Sequence, residues 1–505
     1  MKTKNKHITT IIALALLLLS SCSKEIIVSR HIDKQPDIYP EYKNAMLPAN
    51  ICPIHFTTEK PVKDMNAIFE SADVRIEVPN TDDQIAISEK DWNKLREASS
   101  KIRVRLQVME GEQWVEYAPF TLEISKDSID PYMAYRLIEP GYEVWNEMGI
   151  YQRCLENFDE EAIITNKMTG HNCMNCHTFC NQDPDKMLFH MRKDYGATYM
   201  IDGDNIEALD TKTPDNISAF VYPAWHPSGD FVAFSTNETK QMFHTTDRNR
   251  IEVFDFKSDV IVYDVKNNEV LSTPFLKRND KFETFPTFSP DGKTLYFCRA
   301  DSVQIPQQCD SVRYNLCAIA FDPEKKEFGD SVYTVIDAAS VGSSISFPRI
   351  SPDGKYIAYT VADYGNFHVW HKEASLCVHK LPDYTTSHSF DEFGIAIEPL
   401  PHDPDLMKKL DMEYNCSGGF GGGLSWSSNS KWLIYSCRID GLYTRPFIGH
   451  INHLPSSFIL PQDDARHYDR LMKSFNLPEM IRGKVKASQF SIAQKAHEQN
   501  PKEVK

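Results

Sequence analysis

The residues with the most chemistry in their spacing are Cys173-Met174-Asn175-Cys176-His177. Two cysteines three positions apart, followed directly by histidine, match the attachment pattern of c-type haem. On a helical turn the two thiols lie to one side, where they can add to the two vinyl groups of one haem. The adjacent imidazole, His177, can then give a nitrogen to iron as the proximal ligand. With 12 Cys and 17 His in 505 positions, composition alone predicts about 0.01 occurrences of this pattern. The same cysteines carry two other readings. Cys173, Cys176, Cys180 and a histidine could form a tetrahedral zinc site, or a Cys173–Cys176 disulfide could leave His177 incidental.

A haem iron offers a sixth position. Asp183-Pro184-Asp185 reads as the cap and first turn of a helix. Met187, His190 and Met191 would then fall at i, i+3 and i+4 on one face. His190 is the first choice of sixth ligand, because imidazole binds both oxidation states of iron; Met187 and Met191 are the alternatives. His171 is too near the attachment site to reach the far side. An open sixth position would favour small-ligand binding or peroxide chemistry.

Other chemistry is thin. No Ser-His-Asp order, paired carboxylates or nucleotide loop rises above chance, so no catalytic residue and no nucleotide is expected. The glycine-rich stretch at 418–423 lacks a following Lys-Ser/Thr and precedes a strand. Asp291 and Asp353, each in Pro-Asp-Gly, read as turn caps. Arg438 to Arg445 sets two guanidiniums and a phenol near a blade end, which suits a ligand site or internal ion pairs equally. Acidic residues outnumber basic ones 71 to 55, which argues against a nucleic-acid partner.

The elements that must position these residues begin with a leader. Lys2, Lys4 and Lys6 precede the apolar run Ile11–Leu19 and then Ser20-Ser21-Cys22. The run is too short to span a bilayer and reads as a signal peptide over 1–21. Leu19-Ser20-Ser21-Cys22 resembles the lipobox of bacterial lipoproteins. That resemblance implies cleavage before Cys22 and a lipid anchor on its thiol, hence a cell-envelope location, most simply the outer membrane. A polar tether over 22–45 follows. Alternating apolar residues over 46–128, with a helix at 89–98 capped by Ser88, read as a small β-sandwich. The haem-bearing segment spans 129–205 and reads as helical or irregular. Nine further cysteines are an odd number, so at least one is unpaired; Cys298 and Cys437 end apolar strands and read as buried.

From about 215 a repeat sets in. Tyr222-Pro-Ala-Trp-His-Pro-Ser-Gly229, Phe285-Pro-Thr-Phe-Ser-Pro-Asp-Gly292, Phe347-Pro-Arg-Ile-Ser-Pro-Asp-Gly354 and Gly423-Leu-Ser-Trp-Ser-Ser-Asn-Ser430 each precede an alternating strand. Each unit is a strand, a tight turn and a second strand; Ser430 replaces the turn glycine, so the fourth turn should be the least regular. The repeats resemble the PD40 blades of TolB-type β-propellers, which implies a propeller over 206–463 and leaves a helical tail over 464–505. With Tyr135–Tyr142, Cys176–Phe179, Phe189–Arg192 and Phe458–Gln462, most of the mature chain resembles a family of TolB-like envelope lipoproteins. They sometimes carry the label "cytochrome c biosynthesis protein". The resemblance implies architecture and no established activity. The expected class is mainly β: a sandwich, a haem segment and a propeller. The expected role is electron transfer or redox sensing with a propeller that docks an envelope protein partner. The alternatives are a non-redox propeller scaffold for protein or glycan, and a haem enzyme with an open sixth position.

Overall fold

The computed structural model describes residues 26–139, 146–244, 249, 251–381, 407–409, 421–438 and 441–505. The expected signal peptide, the lipobox with Cys22, Cys416, Asp440 and the first half of the glycine-rich stretch lie outside the described residues. The chain is mainly β, in many sheets.

Six sheets, four of four strands and two of five, are arranged radially. Their inner strands are Ser474–Ile481, Met174–Phe179, Val221–Trp225, Lys281–Phe288, Ser344–Ile350 and Gly421–Trp426. Each inner strand packs on the next and the last returns to the first, so the sheets are the blades of a closed six-bladed β-propeller. Blades 3 to 6 are the four repeats read in the sequence. Blade 1 consists of Tyr132–Ile138, Gly149–Cys154 and Glu160–Thr165, and its inner strand is the C-terminal Ser474–Ile481. Blade 2 continues from Met174–Phe179 through Lys186–Met191, Ala197–Asp202 and Asn205–Asp210, with Lys502–Glu503 added in parallel at its edge.

Three expectations change here. The segment 129–205 is not a helical haem module but the outer strands of blade 1 and the first three strands of blade 2, whose fourth begins at Asn205. The tail is not merely helical: helices occupy His467–Arg470 and Gln489–His497, but the strand between them closes the ring. The tether is not free either. Val28–Ile32 pairs in parallel with Gln113–Tyr117, and Tyr42 is fully buried.

The sandwich expected over 46–128 takes the form of one seven-stranded sheet. Glu89–Ala98 packs on it as the expected helix, with the Ser88 hydroxyl accepting from the Asp91 amide and Trp92 and Leu95 buried. Its core runs on into the propeller through Tyr135, Trp432, Ile434 and Phe475. The repeat turns behave as turns. Asp291 and Asp353 each accept the amide two residues on, at 3.1 Å. Ser430 does not make its turn irregular: it adopts the left-handed backbone of Gly229, Gly292 and Gly354 and closes the same bond, 2.9 Å to the Ser427 carbonyl. Cys298 is buried and free, whereas Cys437 is buried and disulfide-bonded.

Candidate functional site at the two ends of the propeller channel

Every inner strand carries a bulge at the same height. Pairing slips between Asn175 and Thr178, Val221 and Ala224, Thr284 and Thr287, Ser346 and Arg349, and Gly421 and Leu424, and again where Ser474–Ile481 meets Ala134 and Arg136. At five of these bulges a non-glycine residue sits at positive φ: Cys176 (54°), Tyr222 (50°), Phe285 (52°), Phe347 (51°) and Leu477 (54°). A bulge re-aims side chains at the cost of local strain. Tyr222, Phe285 and Phe347 meet across the axis, with ring centroids 4.5 Å and 4.0 Å apart in succession. This plug divides the channel into a lower end, beside the repeat turns, and an upper end.

The cysteine-histidine motif occupies this position in blade 2. Cys176-His177-Thr178-Phe179 stands where blade 3 has Tyr222-Pro223-Ala224-Trp225. Cys180 and Asp183 close the turn that His226 and Gly229 close there. Cys176 lines the upper end and His177 the lower. Both cysteines are free, so the disulfide reading fails in this structure. Among the described residues no group of three or more His, Cys, Asp or Glu is placed to hold a metal ion.

The residues as folded do not fit a c-type haem. The motif is a bulged strand, not a helical turn. A macrocycle bonded to Cys176 in the upper end could not be ligated by His177, which opens below the strand. Cys173, Cys176 and His177 are 9 %, 5 % and 4 % exposed. The sixth-ligand helix is absent too: Lys186–Met191 is the second strand of the blade, pairing His190 with Asn175 and Met187 with Phe179. Met187 and Met191 therefore point to one face, into the core between blades, and His190 to the other. His190 Nδ1 lies 2.7 Å from the Thr198 hydroxyl, while its Nε2 has no partner. Burial, and secondarily Arg192, pull its pKa down to about 3.

The lower end is a cavity of about 250 Å³. Glu479 accepts from the Phe179 amide at 2.9 Å and the Thr178 hydroxyl at 3.2 Å. Burial pushes its carboxyl up to about 7, against those donors and Arg349, which favour its charged form. Neither ring nitrogen of His177 makes a hydrogen bond of ordinary geometry. Burial, and then Arg136, bring its pKa down to about 3, so the ring is neutral at physiological pH.

The upper end is wider. A cavity of about 390 Å³ is walled by Arg136, Arg192, Tyr222, Trp370 and Arg438. It adjoins a second, of about 660 Å³, between blades 2 and 3, which shares Asn175, Cys176, Arg192 and Tyr222 and includes His190. Arg438 lies 3.8 Å over the Trp370 ring. Arg445, its partner in the sequence reading, is absorbed elsewhere: it donates to the Tyr468, Leu471 and Lys473 carbonyls. Arg136 was not singled out by sequence reasoning. It lies in an ordinary alternating strand, and only the fold brings it to the axis.

The fold and channel define a class: a six-bladed β-propeller with an N-terminal β domain docked against it and a two-ended axial channel. No protein-family model matches the chain, and no curated protein does. Solved structures similar to it include a protein assigned as TolB from Agrobacterium tumefaciens, at 13% identity and a TM-score of 0.24, covering 50% of this chain and 86% of that one. A puromycin-hydrolysing peptidase from Mycobacterium tuberculosis is similar at 9% identity and a TM-score of 0.35, covering 86% and 57%. Dipeptidyl peptidase 4 from Porphyromonas gingivalis is similar at 10% and 0.30, covering 85% and 62%. The propeller assignment itself rests on the closed ring of six inner strands.

Proposed function

We propose that this chain is a lipid-anchored binding propeller of the cell envelope, which docks a protein or glycan at the upper end of its channel without redox chemistry. The observation that supports it is the asymmetry of the channel. The upper end joins two cavities that share Arg192, with Arg136 and Arg438 in the wall of one, whereas the lower is a single smaller cavity with the Glu479 network in its wall. Propellers with such an axial mouth present groups from all blades to one ligand, which suits recognition. The Cys22 lipobox supplies the envelope location. The redox reading keeps one observation in its favour, namely two free thiols and a His177 without regular partners in a motif that chance rarely produces. It would require the inner strand of blade 2 to be rebuilt around the porphyrin. The test is a pyridine haemochrome and a peroxidase-stained denaturing gel on detergent-extracted full chain, made in cells with competent haem-attachment machinery. A colourless, unstained band is expected; a stained band with a reversible dithionite spectrum would overturn the non-redox reading.

A further inference from the structure

Arg136 is a charge held near the axis with no carboxylate in salt-bridge reach among the described residues. One terminal nitrogen donates to the Met174 carbonyl at 3.2 Å and to the Asn175 side-chain oxygen. The other reaches the Asn476 amide oxygen at 3.2 Å once that amide is turned to face it. Its Nε is shielded from solvent and has no acceptor. All of these acceptors are neutral. Glu139, the carboxylate in the cavity wall, instead accepts the Glu147 amide at 3.2 Å. Taking a guanidinium out of water with no anion beside it is unfavourable, and burial indeed holds the Arg136 pKa below its usual value. Arg192 stands exposed at the rim of both upper cavities, and Arg438 forms another part of the wall against Trp370. A second group waits in the adjoining cavity: His190, 6 % exposed, has an unpartnered Nε2. This cationic pocket belongs to a chain of net charge −16, so it would gather anions that the remaining surface repels.

We infer that the upper cavity binds a small organic oxyanion carrying a ring, its carboxylate or phosphate on Arg136 and Arg192 and its ring on the Trp370–Phe367 wall. The guanidinium fork suits two-point contact with either oxyanion, and about 390 Å³ admits a ligand of small-molecule size. Such a group could be free or could be the acidic terminus of a glycan or peptide, so the inference deepens the binding reading and rests on it.

The test is calorimetric titration of the full chain with phenylacetate and phenyl phosphate, with phenylacetamide as the neutral counterpart and inorganic phosphate as the ringless one. The two oxyanion probes are expected to bind and the amide not to. Inorganic phosphate should bind more weakly than phenyl phosphate. Arg192→Ala, at an exposed position, should weaken both probes severalfold and reduce the salt dependence. Arg136→Lys, if folded by circular dichroism, should weaken them about tenfold or more, because the fork is lost while the charge remains. Amide binding equal to phenylacetate, probe binding unchanged in both variants, or no wild-type binding at millimolar probe would overturn the inference. A haem-stained gel would defeat the non-redox reading without touching this result, and a colourless protein indifferent to oxyanions would defeat this inference alone.

Discussion

His371 will make stability fall as pH rises past the neutral range. It is 1 % exposed, in the connection between Tyr356–Ala362 and Ser375–Lys380 of blade 5. Its Nε2 lies 3.0 Å from Glu252 on the long third strand of blade 3, and its Nδ1 lies 3.1 Å from Glu373. Tyr364 donates to the other Glu252 oxygen at 2.5 Å. Burial opposes the imidazolium, but the bonds and charges of Glu252 and Glu373 outweigh it and raise its pKa from 6.5 to about 9. A folded-state value above the unfolded one means stabilisation that is complete below 6.5 and lost as pH climbs through 9. That difference is worth about 3 kcal/mol for a group this buried. The assay is urea unfolding followed by tryptophan fluorescence, on wild type and His371→Gln, at about pH 6 and about pH 10. Using the difference between the two proteins cancels other groups that titrate in this window. Wild type should lead by about 3 kcal/mol at the lower pH and lose most of that lead at the higher. An equal gap at both pH values would refute the assignment of a charged His371 between two carboxylates.

Cys22→Ala should shift the protein from the detergent phase to the aqueous phase on partition; wild type already in water would dismiss the anchor. Cys173→Ala and Cys176→Ala, singly or together, should leave haem staining at background, and a stain that disappears on substitution would restore the redox reading. Gly423→Ala would place a Cβ 2.5 Å from the Leu477 Cα, backbone that cannot swing aside. It should destabilise by about 2 kcal/mol or more, read from the urea midpoint, and a neutral effect would show that blades 6 and 1 approach less closely than described.

Four blades were legible because an aromatic or glycine, a tryptophan-like position and a Gly or Ser turn repeat at readable intervals. Blade 2 was hidden by its own chemistry: Cys176-His177 takes the place of aromatic-proline, and the motif draws the eye to haem. Its second strand misled for a packing reason. A blade is covered on both faces by its neighbours, so Met187 and Leu188 are both fully buried and the period-two signal is erased. Three residues at i, i+3 and i+4 then imitate a helix. The signal that could have found it is Phe179, three residues after Cys176, as Trp225 and Phe288 each stand three after the bulge residues of blades 3 and 4. Leu477-Pro478 likewise repeats Phe285-Pro286, but it sits in a segment that composition marks as a tail. The cationic upper end was not legible at all. Arg136, Arg192 and Arg438 are far apart in the chain, and only the closed ring leaves Arg136 with neutral acceptors among the described residues.

The ring closes through a strand distant in sequence from its partner, and this sets an order of events during synthesis. Tyr132–Ile138 emerges long before its partner Ser474–Ile481. Until then blade 1 presents an open edge, the kind of surface that pairs with stray strands. Blades 2 to 6 can each form as hairpins from local sequence, but the axis, with its plug and both cavities, exists only after the C-terminal strand docks. A partly synthesised chain would therefore be foldable in pieces yet without a formed channel, and a chain ending before Ser474 would remain so permanently.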